Sequence, residues 1–255
     1  MIKPPCDSIS LDVKNLQVIF FEKEHSMCAV DDVSFSINAN EIVGLIGESG
    51  SGKTVTALSV MRLLRQSSHC QISGQILRKK ASLIFQDPMT SLHPLSTVGC
   101  QLAKTIRHHS SCSYREARSR AVSYLNLVGI PDPEERFHFY PPQFSGGMRQ
   151  RIMIALALCC EPDLLIADEP TSSLDRTIQT QILRLLLTLK EKLGFSILLI
   201  THDLEVVASM CDRVFVMKSG KIVEEGAIKD IISAPKHPYT KSLMDTAKVF
   251  SEGRL

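Results

Sequence analysis

The chain has 255 residues, of which 44% are hydrophobic and 22% charged, and this balance excludes intrinsic disorder because it can form an apolar core. A formal net charge of +2 argues against broad nucleic-acid binding, which needs a concentrated positive field. The longest apolar run, residues 152–160, is about half of what a bilayer span requires, and the N-terminus lacks the apolar centre of a signal peptide. We therefore expect a cytosolic protein that does not itself cross a membrane.

The first predicted elements are strands. Polar and apolar residues alternate over 11–18 and again over 33–37, which predicts two half-buried strands. The continuous apolar run at 42–46 predicts a strand that is buried on both faces, and residues 55–64 after it have a helical pattern.

The middle of the chain predicts helices. Apolar residues recur at helical spacing from 114 to 128, and proline-rich breaks follow, so we predict a mainly helical insert over about 88–160. Its Ser-rich loop carries His108, His109 and Cys112, but three candidate ligands without a fourth favour a solvated loop over a metal site. None of the eight cysteines forms a C-x-x-C pair, which favours reduced thiols.

The last third returns to strands. Apolar runs at 164–167 and 197–200 are each followed by turn or capping residues and a helical pattern, which predicts parallel strands with crossover helices. The segments 213–217 and 221–225 flank Lys218-Ser219-Gly220 and predict a β-hairpin. The fold class is therefore α/β.

The strongest functional motif directly follows the buried strand at 42–46. It consists of Gly47, Glu48, Ser49, Gly50, Ser51, Gly52, Lys53 and Thr54. Its glycines let backbone N–H groups turn inward around an anion, and the following helix adds its positive N-terminal end. This strand–loop–helix context predicts a phosphate loop in which Lys53 contacts the β- and γ-phosphates of a nucleotide and the Thr54 hydroxyl binds Mg²⁺.

A pair of carboxylates ends the apolar run at 164–167. Asp168 is predicted to hold Mg²⁺ beside the phosphate loop, and Glu169 to polarise the attacking water as a general base. Taken alone, the pair is equally consistent with a strand-end cap, and the presence of the phosphate loop favours the catalytic interpretation.

A third motif, residues 144–151, opens a helix and resembles the signature motif of ATP-binding cassette (ABC) ATPases. Ser145, Gly146 and Gly147 offer a hydroxyl, backbone N–H groups and a helix N-terminus, which form a second phosphate-binding surface. The resemblance implies a head-to-tail dimer in which ATP lies between the loop of one subunit and the signature of the other.

The same resemblance places further residues in family motifs. Gln86, in the string 84–88, corresponds to the Q-loop and implies a contact to Mg²⁺ and water. Asp175 ends a segment that is similar to the D-loop at the dimer interface. His202 corresponds to the switch histidine that contacts the γ-phosphate, although alone it is typical of a structural histidine. Phe20, or its neighbour Phe21, occupies the place of the aromatic residue that stacks on adenine.

The family implies an ATP- and Mg²⁺-dependent ATPase with a RecA-like core, a small antiparallel β subdomain and a helical subdomain in one domain. Its expected parts are a core of about 1–87 and 161–235, a helical subdomain of about 88–160, and a tail of 236–255. Two departures from the family pattern are Ser173 and His93, and the segment between Lys53 and Gln86 is short, which puts the adenine contact in question.

Three strings resemble those of peptide/nickel importer ATPases: residues 86–92, 144–151 and 234–241. This branch implies a second, unequal ATPase subunit, two membrane permeases and an extracytoplasmic solute-binding protein, with the chain on the cytoplasmic face of the membrane and no nucleic-acid partner. Because the chain ends without the longer tail of peptide-type members, nickel is the expected substrate, with peptide as the alternative.

A repair or translation ABC ATPase is less favoured, since the chain has no heptad insert and only one phosphate loop. A regulatory cassette without catalysis is disfavoured by Glu169 and His202.

Overall fold

The computed structural model describes residues 9–22, 25–86, 91–172 and 174–252. Residues 87 and 88 of the predicted Q-loop string, residues 89 and 90 of the importer-like string 86–92, and Ser173 of the predicted D-loop lie outside the described residues. The strands are β1 (Ile9–Glu22), β2 (His25–Asn38), β3 (Ile42–Ile46), β4 (Cys70–Arg78), β5 (Ala81–Ile84), β6 (Leu164–Asp168), β7 (Ser196–Thr201), β8 (Arg213–Lys218) and β9 (Lys221–Ala227).

The described helices lie mostly between β5 and β6 and after β6. They are α1 (Lys53–Val60), α2 (Val98–His109), α3 (Tyr114–Leu127), α4 (Pro133–Arg136), α5 (Gly146–Leu158), α6 (Arg176–Leu193), α7 (Leu204–Met210), α8 (Ile228–Ser233) and α9 (Pro238–Glu252). A short 3₁₀ helix, Pro141–Gln143, precedes α5. In the described part of the chain, no helix combines the length and the apolar character that a membrane span requires.

A six-stranded sheet in the order β5-β6-β7-β3-β8-β9 forms the centre of the fold. The strands from β5 to β8 in this order pair in parallel, and β8–β9 is the predicted antiparallel hairpin. All residues of β3, β6 and β7 are buried, as their continuous apolar runs predict. The predicted parallel α/β core is thus confirmed.

A second, three-stranded antiparallel sheet in the order β2-β1-β4 contains the two alternating strands. The buried positions of β1 change phase between Val13 and Leu16, because Asn15 has a φ of 50° and the register shifts there. The short segment between Lys53 and Gln86 still supplies β4, which pairs with β1 over eight positions. A small antiparallel part is therefore present despite the shortened connection.

The parallel sheet brings distant parts of the sequence to one edge. The phosphate loop follows β3, Asp168 is the last residue of β6, and His202 directly follows Thr201, the last residue of β7. Gln86 lies two residues beyond β5. Because carboxyl ends of parallel strands meet at the same sheet edge, these segments converge on one site, which is where α/β sheets bind their ligands.

Candidate nucleotide site

The phosphate loop connects β3 to α1, which begins at Lys53 with Gly52 as its N-cap. A Cβ at Gly47 would lie 2.1 Å from the carbonyl oxygen of Met217, and one at Gly52 would lie 2.4 Å from that of Ala29. Both glycines also have positive φ values, 154° and 105°. Only glycine therefore lets this loop pass so close to β2 and β8.

Two hydrogen-bonding groups outside the loop hold its path, and one of them is itself held by β2. The N–H of Gly220, in the β8–β9 turn, donates to the carbonyl of Ser51 at 2.9 Å. The carbonyl of the same Gly220 accepts the N–H of Asp31 on β2 at 2.8 Å. On the other side, the hydroxyl of Tyr239 on α9 accepts the N–H of Glu48 at 2.9 Å. The loop is therefore fixed by the hairpin, the antiparallel sheet and the C-terminal helix together.

Lys53 is buried within the loop that it belongs to. Its ammonium donates to the carbonyls of Gly47 and Glu48, both at 2.8 Å. Burial lowers the pKa of Lys53, and the carboxylates of Glu169, Asp168 and Glu48 act in the opposite direction. The side chain is thus a desolvated cation that is surrounded by carbonyls and carboxylates. A phosphate group can take the place of a carbonyl as the hydrogen-bond partner of this cation.

Asp168 is buried beside the start of α1. Burial raises the pKa of its carboxyl, as does the neighbouring Glu169, whereas a hydrogen bond with the Thr54 side chain and the charge of Lys53 lower it. Its Oδ1 atom is buried and has no hydrogen-bond partner. Asp168 and Thr54 thus bring oxygen atoms together, and one of these oxygens lacks a partner.

Glu169 joins three of the predicted catalytic residues in one hydrogen-bonded group. Gln86 Nε2 donates to Glu169 Oε2 at 3.0 Å, and His202 Nδ1 lies 2.9 Å from Glu169 Oε1. An ionised carboxylate only accepts, so the Nδ1 atom carries the proton in this contact. The backbone of Glu169 has a φ of 46° and is held by its N–H bond to the Ile200 carbonyl at 2.8 Å.

The signature residues lie at the other helix N-terminus. Ser145 is exposed and caps α5, with its hydroxyl accepting the N–H of Met148 at 3.3 Å. A Cβ at Gly147 would lie 2.7 Å from Ile178 of α6, so this glycine allows the two helices to approach. Asp175 caps α6 in the same way, accepting the N–H of Ile178 at 3.0 Å.

The two candidate adenine residues are neighbours near the end of β1. Phe20 is partly buried and packs against the apolar cluster of the antiparallel sheet. Phe21 is 37% exposed. The structure thus leaves both rings partly accessible, at the strand end where β1 pairs with Met27 and Ser26 of β2.

Two supporting residues were not found by sequence reasoning. Tyr239 lies in the string 234–241, whose residue pattern only suggested a family branch and not a contact with the phosphate loop. Asp203 caps α7 through two backbone N–H groups and also accepts Gln179 Nε2 at 3.2 Å. An Asp directly after the strand and before a helical pattern is a capping signal that the sequence does carry.

Comparison with known proteins gives consistent results. Residues 30–172 match the family described as "ABC transporter". The chain is 45% identical to a probable peptide ABC transporter ATP-binding protein of Sinorhizobium fredii, covering 98% of this chain and 80% of that protein. It is 50% identical to the dipeptide transport ATP-binding protein DppD of Bacillus subtilis, covering 92% of this chain and 75% of that protein.

Solved structures show the same architecture. The ATP-binding cassette MJ0796, described as a dimer in a post-hydrolysis state bound to ADP and Pi, superposes with a TM-score of 0.73 at 26% identity. The match covers 86% of this chain and 98% of the cassette.

Proposed function

The chain belongs to the ABC transporter family, and from this premise we propose that it hydrolyses ATP for an importer of peptides. It has the fold of an ABC ATPase cassette, with an α/β core, an antiparallel β part and a helical part, and family members couple ATP hydrolysis to transport. The observation that carries the catalytic assignment is the Glu169 carboxylate, bonded to both Gln86 and His202.

Glu169 is the proposed general base. A water that attacks the γ-phosphate gives its proton to a Glu169 oxygen, and Gln86 and His202 orient this carboxylate because each bonds one of its two oxygens. We propose that His202 contacts the γ-phosphate, and its accessibility supports this, because its side chain is 64% exposed while that of Glu169 is 18% exposed. Lys53, beside both carboxylates, stabilises phosphate charge.

Mg²⁺ fits the oxygen atoms beside the loop. Thr54 and Asp168 supply a hydroxyl and a carboxylate, the ligand types that Mg²⁺ prefers, and the unpartnered Oδ1 of Asp168 provides a reason for a cation there. Mg²⁺ would neutralise charge on the β- and γ-phosphates when bound. Gln86, the third expected ligand, contacts Glu169 through its amide nitrogen, and we propose that its amide oxygen would help to hold the metal.

The signature segment is the proposed second half of a nucleotide site in a partner subunit. The exposed Ser145 and the following N-terminus of α5 offer a hydroxyl and N–H groups to an anion. The description of the cassette MJ0796 as a dimer supports a dimer here also. We propose a second ABC ATPase subunit as the partner, with Asp175 at the interface.

We propose that two membrane permeases bind this chain and receive the conformational change that accompanies ATP hydrolysis. A cavity of about 330 Å³ lies between the end of β5 and α5, lined in part by Phe85, Ser91, Met153 and Leu156. Phe85 is 45% exposed and directly precedes Gln86. A permease helix that contacts Phe85 would therefore lie next to Gln86, which is hydrogen-bonded to Glu169. We propose a peripheral position at the cytoplasmic face of a membrane, since the relatives are ATP-binding proteins of transporters.

The peptide substrate replaces nickel as the favoured one. The relatives include transporters named for peptide, dipeptide and D,D-dipeptide, and a glutathione import protein, at 43–50% identity. The expectation of nickel relied on the length of the chain and has no support among these relatives. We propose that a solute-binding protein and the permeases select the peptide.

The test is an uptake assay in a strain that lacks this chain. Complementation with the wild-type gene should restore uptake of a radiolabelled dipeptide, and complementation with a Glu169→Gln gene should not. Radiolabelled nickel uptake serves as the second arm. Restoration of nickel uptake alone would overturn the peptide assignment, and restoration of either by the Glu169→Gln gene would overturn the catalytic one.

A further inference from the structure

One hydrogen bond joins the start of α6 to the segment that carries His202. Gln179, in the first turn of α6, donates from Nε2 to Oδ2 of Asp203 at 3.2 Å. Asp203 is the N-cap of α7 and directly follows His202. Gln179 and Asp203 are both partly buried and lie 24 positions apart in the sequence. The bond therefore connects two helices at the residue next to a proposed catalytic side chain.

Asp203 uses both of its carboxylate oxygens. Its Oδ1 atom accepts two backbone N–H groups in the first turn of α7, at 2.9 and 3.3 Å, and so caps that helix. The Oδ2 atom accepts Gln179. The backbone N–H of Asp203 donates to the hydroxyl of Thr201, the last residue of β7, at 3.0 Å. His202 thus lies between a residue of the sheet and a carboxylate that is held from α6.

A cavity of about 470 Å³ lies between α6 and α7, so side-chain packing does not by itself fix the distance between the starts of these helices. An ion pair also crosses this gap, from Arg176 to Glu205 at 3.6 Å, but its two side chains are 67% and 65% exposed. Exposed ion pairs contribute little, whereas a partly buried hydrogen bond to a carboxylate contributes more. Of these two links, the one from Gln179 to Asp203 is therefore the stronger.

The ring of His202 depends on its backbone for its position. Its side chain is 64% exposed, so packing does little to hold it, and its Nδ1 atom lies 2.9 Å from Glu169 Oε1. A displacement of Asp203 would carry the His202 backbone with it and change this contact. In a catalytic group, a misplacement of about 1 Å can cost about 100-fold in rate.

We propose that Gln179 is a positioning residue for hydrolysis, which holds Asp203 and thereby sets where the His202 ring meets Glu169. The inference rests on the proposed catalytic roles of Glu169 and His202. It concerns turnover more than nucleotide binding, since the phosphate loop is held by β2, the β8–β9 turn and α9. Loss of the bond should therefore lower kcat and leave KM for ATP nearly unchanged.

The experiment uses Gln179→Glu, which sets two carboxylates against each other at hydrogen-bond distance. Steady-state phosphate release is measured in the transporter complex that is purified through a tag on this chain. We expect kcat to fall about tenfold, with KM within about twofold of the wild-type value, because the repulsion displaces Asp203. Gln181→Glu is the matched control, since it makes the same chemical change at an exposed position on another face of α6. It should leave both constants unchanged.

A double variant, Gln179→Glu with Asp203→Asn, restores the bond in the opposite direction, because an amide at the second position donates to a carboxylate at the first. Asparagine caps a helix as well as aspartate does, so α7 should remain intact. We expect kcat to return to within about twofold of the wild-type value. A double variant that stays as slow as Gln179→Glu would overturn the proposal. So would a raised KM with a normal kcat, or a loss of kcat that a lower free energy of unfolding accounts for.

A Glu169→Gln chain in the same complex separates failure of this inference from failure of the proposed function. If Glu169→Gln hydrolyses ATP at the wild-type rate, the proposed catalytic group is wrong and the proposed function fails with it. If Glu169→Gln is inactive while Gln179→Glu keeps the wild-type kcat, only the role of Gln179 is overturned.

Discussion

The phosphate loop and the signature segment are both candidate anion sites at a helix N-terminus, yet the chain holds them differently. The loop is fixed by β2, the β8–β9 turn and α9, and it encloses a buried Lys53. The signature has an exposed Ser145, whose hydroxyl is used to cap its own helix. One surface is thus assembled from distant parts of the chain, whereas the other is local.

This difference indicates how each site achieves its shape. The loop must keep carbonyls and a lysine close together without a ligand, which requires supports on several sides. The signature needs only a capped helix and two glycines, one of which allows contact with Ile178 of α6. A surface of this kind presents its N–H groups outward, as the proposed nucleotide sandwich requires.

The largest expected effect is at the loop side, for Glu169→Gln. The amide keeps the shape but cannot accept the proton of the attacking water, so turnover in the assembled transporter should fall by about 10²- to 10⁴-fold. ATP binding and association with the partner should be retained. Steady-state phosphate release measures the loss, and Glu161→Gln, which alters an exposed partner of Arg120, is the control. Normal turnover in the Glu169 variant would remove the general-base assignment.

The next effect tests the signature side, for Ser145→Asp. Aspartate caps a helix as well as serine does, so α5 should remain intact, but it places a negative charge at the proposed phosphate surface. We expect the isolated chain to bind ATP normally and the assembled transporter to lose about 100-fold in hydrolysis, since like charges repel strongly at a desolvated contact.

Ser145→Asn is the neutral control, because asparagine is an equally good cap. It should retain more hydrolysis than Ser145→Asp does, with the same unfolding free energy. Weakened ATP binding by the isolated Ser145→Asp chain would mean that the phosphate loop and the signature segment act on one nucleotide within a single chain. That result would contradict the proposal that the signature completes a site in a partner subunit.

A third prediction concerns the stability of the free chain. Burial raises the pKa of Asp168, so its ionised form costs stability, and Asp168→Asn should increase the free energy of unfolding at neutral pH while Mg²⁺-dependent hydrolysis is lost. A raised folded pKa gives stability at low pH that is lost as pH rises through it. The gain should therefore shrink on acidification, as denaturant titrations at several pH values will show. A gain that grows on acidification would contradict the assignment.

The sequence predicted that Asp168, Glu169 and His202 follow parallel strands, because the apolar runs at 164–167 and 197–200 precede them, whereas the strand before Gln86 was not predicted; the catalytic roles of these residues stay predictions. Gln86, Asp168, Glu169 and His202 are placed by where β5, β6 and β7 end. The contact of Tyr239 with Glu48 could not be predicted, since it depends on how α9 packs after the whole sheet has formed. Asn15 had a weak signal, the two successive polar residues Lys14 and Asn15, but the alternation hid the bulge.

The smallest expected effect concerns the adenine contact, for which the rings of Phe20 and Phe21 are the two candidates. Phe20→Leu should weaken ATP and ADP binding by the same factor, about threefold, because the adenine is common to both and stacking on one ring contributes about 0.7 kcal/mol. Phe21→Leu is the matched control and should leave both affinities unchanged. Since Phe20 also packs against the antiparallel sheet, denaturant unfolding of both variants must accompany the binding measurement. The opposite order of the two affinities would place the adenine on Phe21, whereas a loss for ATP alone would show that the ring acts on the γ-phosphate side and stacks on no base.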